Sequence, residues 1–530
     1  MDNNKLNNSF APIQVSGINL EALEDDYVPA NPIKPPSFTE VFVLGKKDYI
    51  MFAVAVIFNI IGVALSFWGG FNIGYTISNT LSFALLTYYF CEKGVKIKAF
   101  PLICGIISLI LSAVPAVTSN WSVNFWGLIV SACLSVVWFA SLVGKEKTRG
   151  DLGIIRVIGS SVFMNTFKYP VQSVKSLFIG KNAKNSLFLK ILCGIAIAIP
   201  VTLIVTMLLM SSDLAFQSLV EKIIDDASTL IAQIILGIVI TPFFIAFAFG
   251  LKKSVPKPSK ESAFKGVENV YIISFLATLS FVYVVYLFSQ LSYLFDAFKS
   301  ILPSDYNFTA AEYARRGFFE MSVIAFVNLV VIFATILLSK KDREISFTVK
   351  LLNTFIGFFT LVIIATAISK MVLYIDRFGM TALRITTSAF MLFLTIVTVM
   401  AIIRCFAKSV EVLKTALVIA GVILLSLGFG NVNKVVASYN YNAYINGHLS
   451  SSVVDSIYEV GDAGIPYIVK LSESDDITIS NRAKRYLNNR VTENFKKVEG
   501  GWKLKDTELG SWNYTNGEAI EALKEYIRNN

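Results

Sequence analysis

A chain of 530 residues with 55% hydrophobic and only 16% charged positions, and a mean hydropathy of +0.62, falls outside the ordinary soluble class, in which about a quarter of residues are charged. The net charge of +10 sits in short connections between apolar stretches. It therefore reads as an orientation signal and not as a nucleic-acid footprint. The single histidine, His448, lies in the C-terminal polar region, which excludes a histidine triad or a histidine metal pair inside the apolar part.

Residues 1–47 are polar, carry Pro29, Pro32, Pro35 and Pro36, and lack a basic-then-apolar leader pattern. They read as a flexible cytoplasmic tail. About eleven apolar runs follow, each near the roughly 20 residues that cross a bilayer as a helix. They cover Tyr49–Trp68, Ile73–Cys91, Phe100–Val117, Phe125–Val143, Leu187–Leu209, Leu230–Leu251, Tyr271–Leu294, Phe318–Leu338, Leu351–Ser369, Ile385–Ile403 and Leu413–Leu427. The expected fold is an all-α polytopic transmembrane bundle over 48–430, with a small helical extracytoplasmic module over 431–530.

Clustered Lys and Arg alternate with connections that lack them. Lys93, Lys96 and Lys98 follow the second run, Lys145, Lys147, Arg149 and Arg156 the fourth, and Lys252, Lys253, Lys257 and Lys260 the sixth. Lys340, Lys341 and Arg343 follow the eighth, and Arg404 and Lys408 the tenth. The positive-inside rule places these connections and the N-terminus in the cytoplasm, and an odd number of spans puts the C-terminus outside.

Two connecting pieces carry amphipathic patterns. Over 154–179, Ile158, Val162, Phe163, Phe167, Val171, Val174 and Phe178 recur at near-helical spacing, which predicts a helix in the cytoplasmic interface. A bundle-packed linker helix and a lipid-sensing helix both fit that pattern. Leu214–Leu230, with Glu221, Asp225 and Asp226, reads as a separate acidic cap over the opposite end.

Within the apolar region, a few residues break the pattern. Glu312-Tyr313-Ala314-Arg315-Arg316 leads into the eighth span, with Glu320 a turn inside it. Tyr374, Asp376, Arg377 and Arg384 lie between the ninth and tenth. If the two connections adjoin, Tyr313, Arg315, Arg316, Glu320, Tyr374, Arg377 and Arg384 form one outer pocket, whose guanidinium groups can hold a phosphate or carboxylate bidentately. The competing reading is structural: the arginines pair with Glu312, Glu320 and Asp376 and extend to lipid headgroups. Asn59, Asn79, Gln233, Gln290 and Asn328 read as hydrogen-bonding links between helices.

Absences narrow the classes further. Span centres carry essentially no charged residue, against ion-coupled transport. No phosphate-binding loop of the Walker type is present. Cys91, Cys104, Cys133, Cys193 and Cys405 sit in or beside apolar runs at spacings that suit neither a metal site nor disulfides. No cofactor or metal is expected, and catalysis is disfavoured; the first connection on the outer side, Gly69–Asn72, is too short for a lipid-linked glycosyltransferase loop.

The polar region opens at about Asn431. Ser450–Val460, Asn481–Val498 and Glu518–Ile527 have helical spacing, and Trp502 and Trp512 bracket a looped or hairpin-like stretch. With almost no linker after the last span, this module is expected to cap the bundle.

Tyr313-Ala314-Arg315-Arg316-Gly317-Phe318-Phe319-Glu320, the group Leu373-Tyr374, Gly379-Met380-Thr381 and Leu383-Arg384, and the pair Asn440 with Asp462-Ala463-Gly464-Ile465-Pro466 resemble the recurring motifs of one bacterial family. It is a domain-of-unknown-function family of the 4153/4173 type, comprising multi-pass inner-membrane proteins. The resemblance is best over Tyr271–Leu471 and implies a bacterial membrane location, with no activity attached. Three readings follow: binding, sensing or transport of an anionic lipid or envelope precursor at the outer Arg/Tyr pocket; a non-catalytic scaffold or signalling partner using both tails to hold a protein; and an envelope enzyme using Glu320. Membrane lipids are the expected partners.

Overall fold

The computed structural model describes residues 42–66, 71–91, 94–144, 151–177, 204–253, 267–297, 310–338, 345–407, 409–498, 501–505 and 511–529, with the single positions Ala198 and Thr202. Residues 1–41 of the expected N-terminal tail, and most of the expected span 187–209, lie outside them. So do Cys193 and the side chain of Gln290.

Nine helices or helix segments among the described residues are long and apolar enough to cross a membrane. In chain order the helices are α1 (Lys46–Ser66), α2 (Ile73–Phe90), α3 (Ala99–Leu111), α4 (Trp121–Leu142), α5 (Asp151–Gly159), α6 (Pro170–Leu177), α7 (Leu214–Lys253) and α8 (Asn269–Ala297). They continue as α9 (Ala310–Leu338), α10 (Phe347–Phe378), α11 (Ala382–Phe406) and α12 (Val412–Phe429). Long helices are what a bilayer demands, because every backbone polar group must find its partner within the segment.

The helices form two lobes. In the first, α1, α2, α4 and α7 close on Phe52, Ala55, Phe90, Phe139 and Phe249. A Cβ on Gly237 of α7 would lie 2.6 Å from the Ile60 Cα of α1, so only glycine permits this crossing. In the second, α8 to α11 pack around Ile332, Ile356, Phe359, Met391 and Leu394. Helix α12 joins them, touching α11 on one side and α3 and α4 on the other.

Polar side chains inside the bundle tie helices together. Asn59 donates to Thr241 at 3.1 Å. Asn328 accepts from Tyr283 and donates to Thr360 at 2.9 Å. Cys91, Cys104, Cys133 and Cys405 form no disulfide among the described residues.

Two amphipathic expectations fare differently. Over 151–177 the chain is helical as α5 and α6, but a π-helical turn at Ser160–Asn165 interrupts it. Its small residues Ser161, Ser173 and Ser176 are buried, while Phe163, Phe167 and Val171 are more than 60% exposed. The expected separate cap Leu214–Leu230 is instead the start of the 40-residue α7. Between Leu214 and Leu236 there is no glycine or proline, so the acidic segment runs unbroken into the span; Pro242 lies further along the same helix. At 1.5 Å per residue its 40 residues run to about 60 Å, twice the hydrocarbon core, and its apolar span covers only Ser228–Lys253.

After α12 come α13 (Val432–Ile445), α14 (Asp455–Glu459), α15 (Ile465–Leu471), α16 (Ile477–Asn494) and α17 (Tyr514–Asn529). They enclose their own core of Val436, Ile457, Ile465, Ile468, Leu487 and Leu523. The helix expected over Asn481–Val498 stops at Asn494, and Phe495–Val498 pairs antiparallel with Gly501–Leu504. The hairpin thus starts before the stretch between Trp502 and Trp512.

Candidate functional site

The turn between α10 and α11 is built by three adjacent devices. Gly379 ends α10 at φ 75, a backbone region essentially restricted to glycine. Thr381 caps α11 by accepting from the Arg384 amide at 3.3 Å. The Arg384 guanidinium lies 4.1 Å over the Tyr374 ring and donates to the carbonyls of Phe378, at 3.1 Å, and Gly379. A helix C-terminus leaves carbonyls without internal partners and carries partial negative charge, so a guanidinium there satisfies both.

Of the seven residues singled out in the sequence, Tyr374 and Arg384 are in contact. Arg377 is exposed on the same turn, as is Asp376, and neither has a hydrogen-bond or ion-pair partner among the described residues. Glu320 is exposed on α9, within electrostatic reach of Lys370 on α10. The backbone of α9 carries Tyr313, Arg315 and Arg316 in its first two turns, and their side chains lie outside those described.

Lys370 was not visible as a site residue because the ninth span appeared to end at Ser369. Helix α10 runs on to Phe378 and places this lysine inside it. The signal was there in the apolar continuation Met371-Val372-Leu373.

The tail module meets this turn directly. Asn440 of α13 accepts from the Met380 amide at 2.8 Å and donates to the Met380 carbonyl at 2.7 Å. Further contacts reach the first lobe: Asn513 donates to Asn72 at 2.6 Å, and the Ile73 amide donates to the Trp512 carbonyl at 3.0 Å. Thr515 donates to the Val117 carbonyl at 2.8 Å, and Asn120 to Asn433 at 2.7 Å. Asn431, left-handed at φ 47, donates to Thr515 at 2.8 Å. The module is therefore fastened to both lobes at one end of the bundle.

At the opposite end, Asp48 in the first turn of α1 is 5% exposed. It accepts from the Gly45 amide at 2.8 Å and the Tyr89 hydroxyl at 2.7 Å, and it pairs with Lys253 at the end of α7. Lys252 lies 4.3 Å over the Tyr89 ring. Sequence reading passed over this cluster, because an Asp at the edge of an apolar run looks like an ordinary helix start.

Among the described residues, no group of three or more His, Cys, Asp or Glu side chains could hold a metal ion. Apolar helices of bilayer length, joined to a module fastened across one end, define an integral, multi-pass α-helical membrane protein. The chain belongs to the family described as domain of unknown function (DUF4153), whose model matches residues 105–471. That match runs from within α3 to the end of α15 and takes in the α10–α11 turn and Asn440. No curated protein and no solved structure matches the chain.

Proposed function

We propose that the end of the bundle bearing the tail module binds the anionic headgroup of a membrane lipid or a lipid-linked envelope precursor, to sense or move it. The observation that carries this reading is the exposed Arg377, one helical turn from Tyr374 and without an ion pair among the described residues; the Tyr374 ring already holds Arg384 in a fixed orientation. An exposed guanidinium beside a second, oriented one is suited to phosphate. Arg315 and Arg316 on α9, with Tyr313 and Glu320, complete the proposed pocket.

The setting we propose is the cell membrane of a bacterium, with the N-terminus cytoplasmic and the tail module outside. Lys252 and Lys253 lie at the end opposite that module, which supports this orientation. A cysteine at the exposed Asn446 should then react with an impermeant thiol reagent in intact cells; reaction only after lysis reverses the orientation.

Native mass spectrometry of the purified protein tests the lipid reading. The parent is compared with a variant carrying Arg315→Ala, Arg316→Ala and Arg377→Ala, leaving the helix-closing Arg384 in place. A discrete anionic lipid held by the parent and lost by the still-folded variant is expected. Equal retention, or none in either, removes the reading.

A second reading, a non-catalytic scaffold or signalling partner, draws on its own observation. The tail module carries an open groove of about 850 Å³ lined by Lys434, Tyr467, Lys470, Trp512, Tyr514 and Arg528, among others. Glu518, Glu521 and Glu525 line it as well, and exposed Trp, Tyr and Arg side chains of this kind anchor protein partners.

A further inference from the structure

Inside the first lobe, α2, α3 and α4 enclose a cavity of about 190 Å³. On its polar side stand Tyr75, Asn79, Ser108, Ser112, Ser131 and Ser135, and its apolar wall is made by Phe83, Leu109, Leu128, Ala132 and Phe139. Among the described residues, no charged residue lines it.

The serines are already committed as donors. Ser112 gives its proton to the Leu109 carbonyl at 2.6 Å, Ser135 to the Ala132 carbonyl at 2.9 Å, and Ser108 to Ser131 across the α3–α4 contact at 2.9 Å. Their remaining lone pairs are acceptors. The Tyr75 hydroxyl and the Asn79 amide, by contrast, have no hydrogen-bond partner among the described residues. Within a bilayer a polar group without a partner is costly, since no bulk water competes for it.

The mouth opens sideways. Leu109 is 40% exposed and Ala132 is exposed, and both sit on helix faces of the kind that meet hydrocarbon. A group entering here comes from the bilayer. The volume exceeds the roughly 150 Å³ that accepts benzene in an engineered apolar cavity. That is space for a group larger than a benzene ring, with longer chains left outside.

We propose that this cavity binds the uncharged glycerol–ester portion of a membrane lipid of the diacylglycerol class. The Asn79 amide and Tyr75 hydroxyl donate to the ester carbonyls, and the serine oxygens accept from the free hydroxyl. The absence of a cation sets this site apart from the Arg-bearing turn, because an anionic headgroup would enter uncompensated.

The test uses the full chain in nanodiscs containing a diacylglycerol with a photoactivatable diazirine near its ester, the labelled peptides being mapped by mass spectrometry. Labelling concentrated on α2, α3 and α4, and competed by unlabelled diacylglycerol, is expected. Asn79→Leu removes the amide and should lower pocket labelling about fivefold, the equivalent of one hydrogen bond of about 1 kcal/mol; Ala132→Phe fills the mouth and should lower it at least as much. Ile77→Phe, on a 43% exposed position of α2, should leave it unchanged. Matching melting temperatures of Ala132→Phe and Ile77→Phe separate a filled site from an unfolded one. Label spread evenly over all lipid-facing helices, pocket labelling as strong in both pocket variants as in the parent, or stronger pocket labelling by a phosphatidylglycerol probe overturns the proposal. Displacement by aqueous glycerol overturns the lipid as its source.

Discussion

The side chain of Asn440 pairs with Met380 as a neighbouring strand would, accepting from its amide at 2.8 Å and donating to its carbonyl at 2.7 Å. Both groups belong to a turn that no helix can satisfy. Asn440 is fully buried, so water offers no substitute. The folding of the tail module and the shape of the α10–α11 turn are therefore one problem.

Asn440→Leu keeps the volume and removes both bonds. Leaving two buried backbone groups unpaired costs about 1–3 kcal/mol each. The expected result is a lowered melting temperature and faster hydrogen exchange at the Met380 amide, read by mass spectrometry. Unchanged exchange there rules out the pairing.

Gly379 tests the same seam from the other side. A Cβ at this position would lie 2.3 Å from Val453 and 2.8 Å from the Asn440 oxygen. Backbone strain of about 1–3 kcal/mol adds to that collision. Gly379→Ala should loosen the tail module and make it sensitive to protease. Gly447→Ala, at φ 70 with nothing within 4 Å, meets strain alone and should cost visibly less.

Asp48 and Lys253 close the first lobe at its far end, with side chains 8% and 16% exposed. Breaking such a pair leaves an uncompensated buried charge, at a cost of about 3–5 kcal/mol. Lys253→Met alone should destabilise strongly, and adding Asp48→Leu should recover much of the loss. Thermal melts of the single and double variants decide it: additive losses would contradict the pairing.

Lys434 donates to both Glu518 oxygens, at 2.6 and 2.9 Å, and that hydrogen bond holds its ammonium above the ordinary value of 10.5. A raised lysine contributes stability that is complete below the unfolded value and disappears as pH rises through the folded one. The parent should therefore lose tail stability in the alkaline window above about 10.5, while Lys434→Met shows a smaller loss there. A melting-temperature series across that window measures the difference.

The bundle was readable because bilayer helices must be long and apolar, and such runs stand out one by one. The docking seam was not. Asn72 and Asn513 are 441 residues apart, and each alone looks like a surface residue, one before an apolar run and the other in the polar tail. Asp48 and Lys253, 205 apart, were hidden in the same way. Arg384 stands out in the sequence as a charged residue between the ninth and tenth apolar runs, but its service to the carbonyls of Phe378 and Gly379 depends on a turn set by Gly379. The strand Phe495–Val498 was read as helix because its four residues continue a helical run, and the pairing with Gly501–Leu504 is what turns them.

The join between α12 and α13 consists of Gly430 and Asn431 alone, and Asn431 is clamped by Thr515. A bilayer helix and a polar module are thus geared without a hinge. The module is also pinned to the α10–α11 turn through Asn440 and to the first lobe through Asn513 and Thr515. A tilt of the last span therefore cannot be taken up by the module alone: it has to be shared by both lobes, as the struts of one frame share a load.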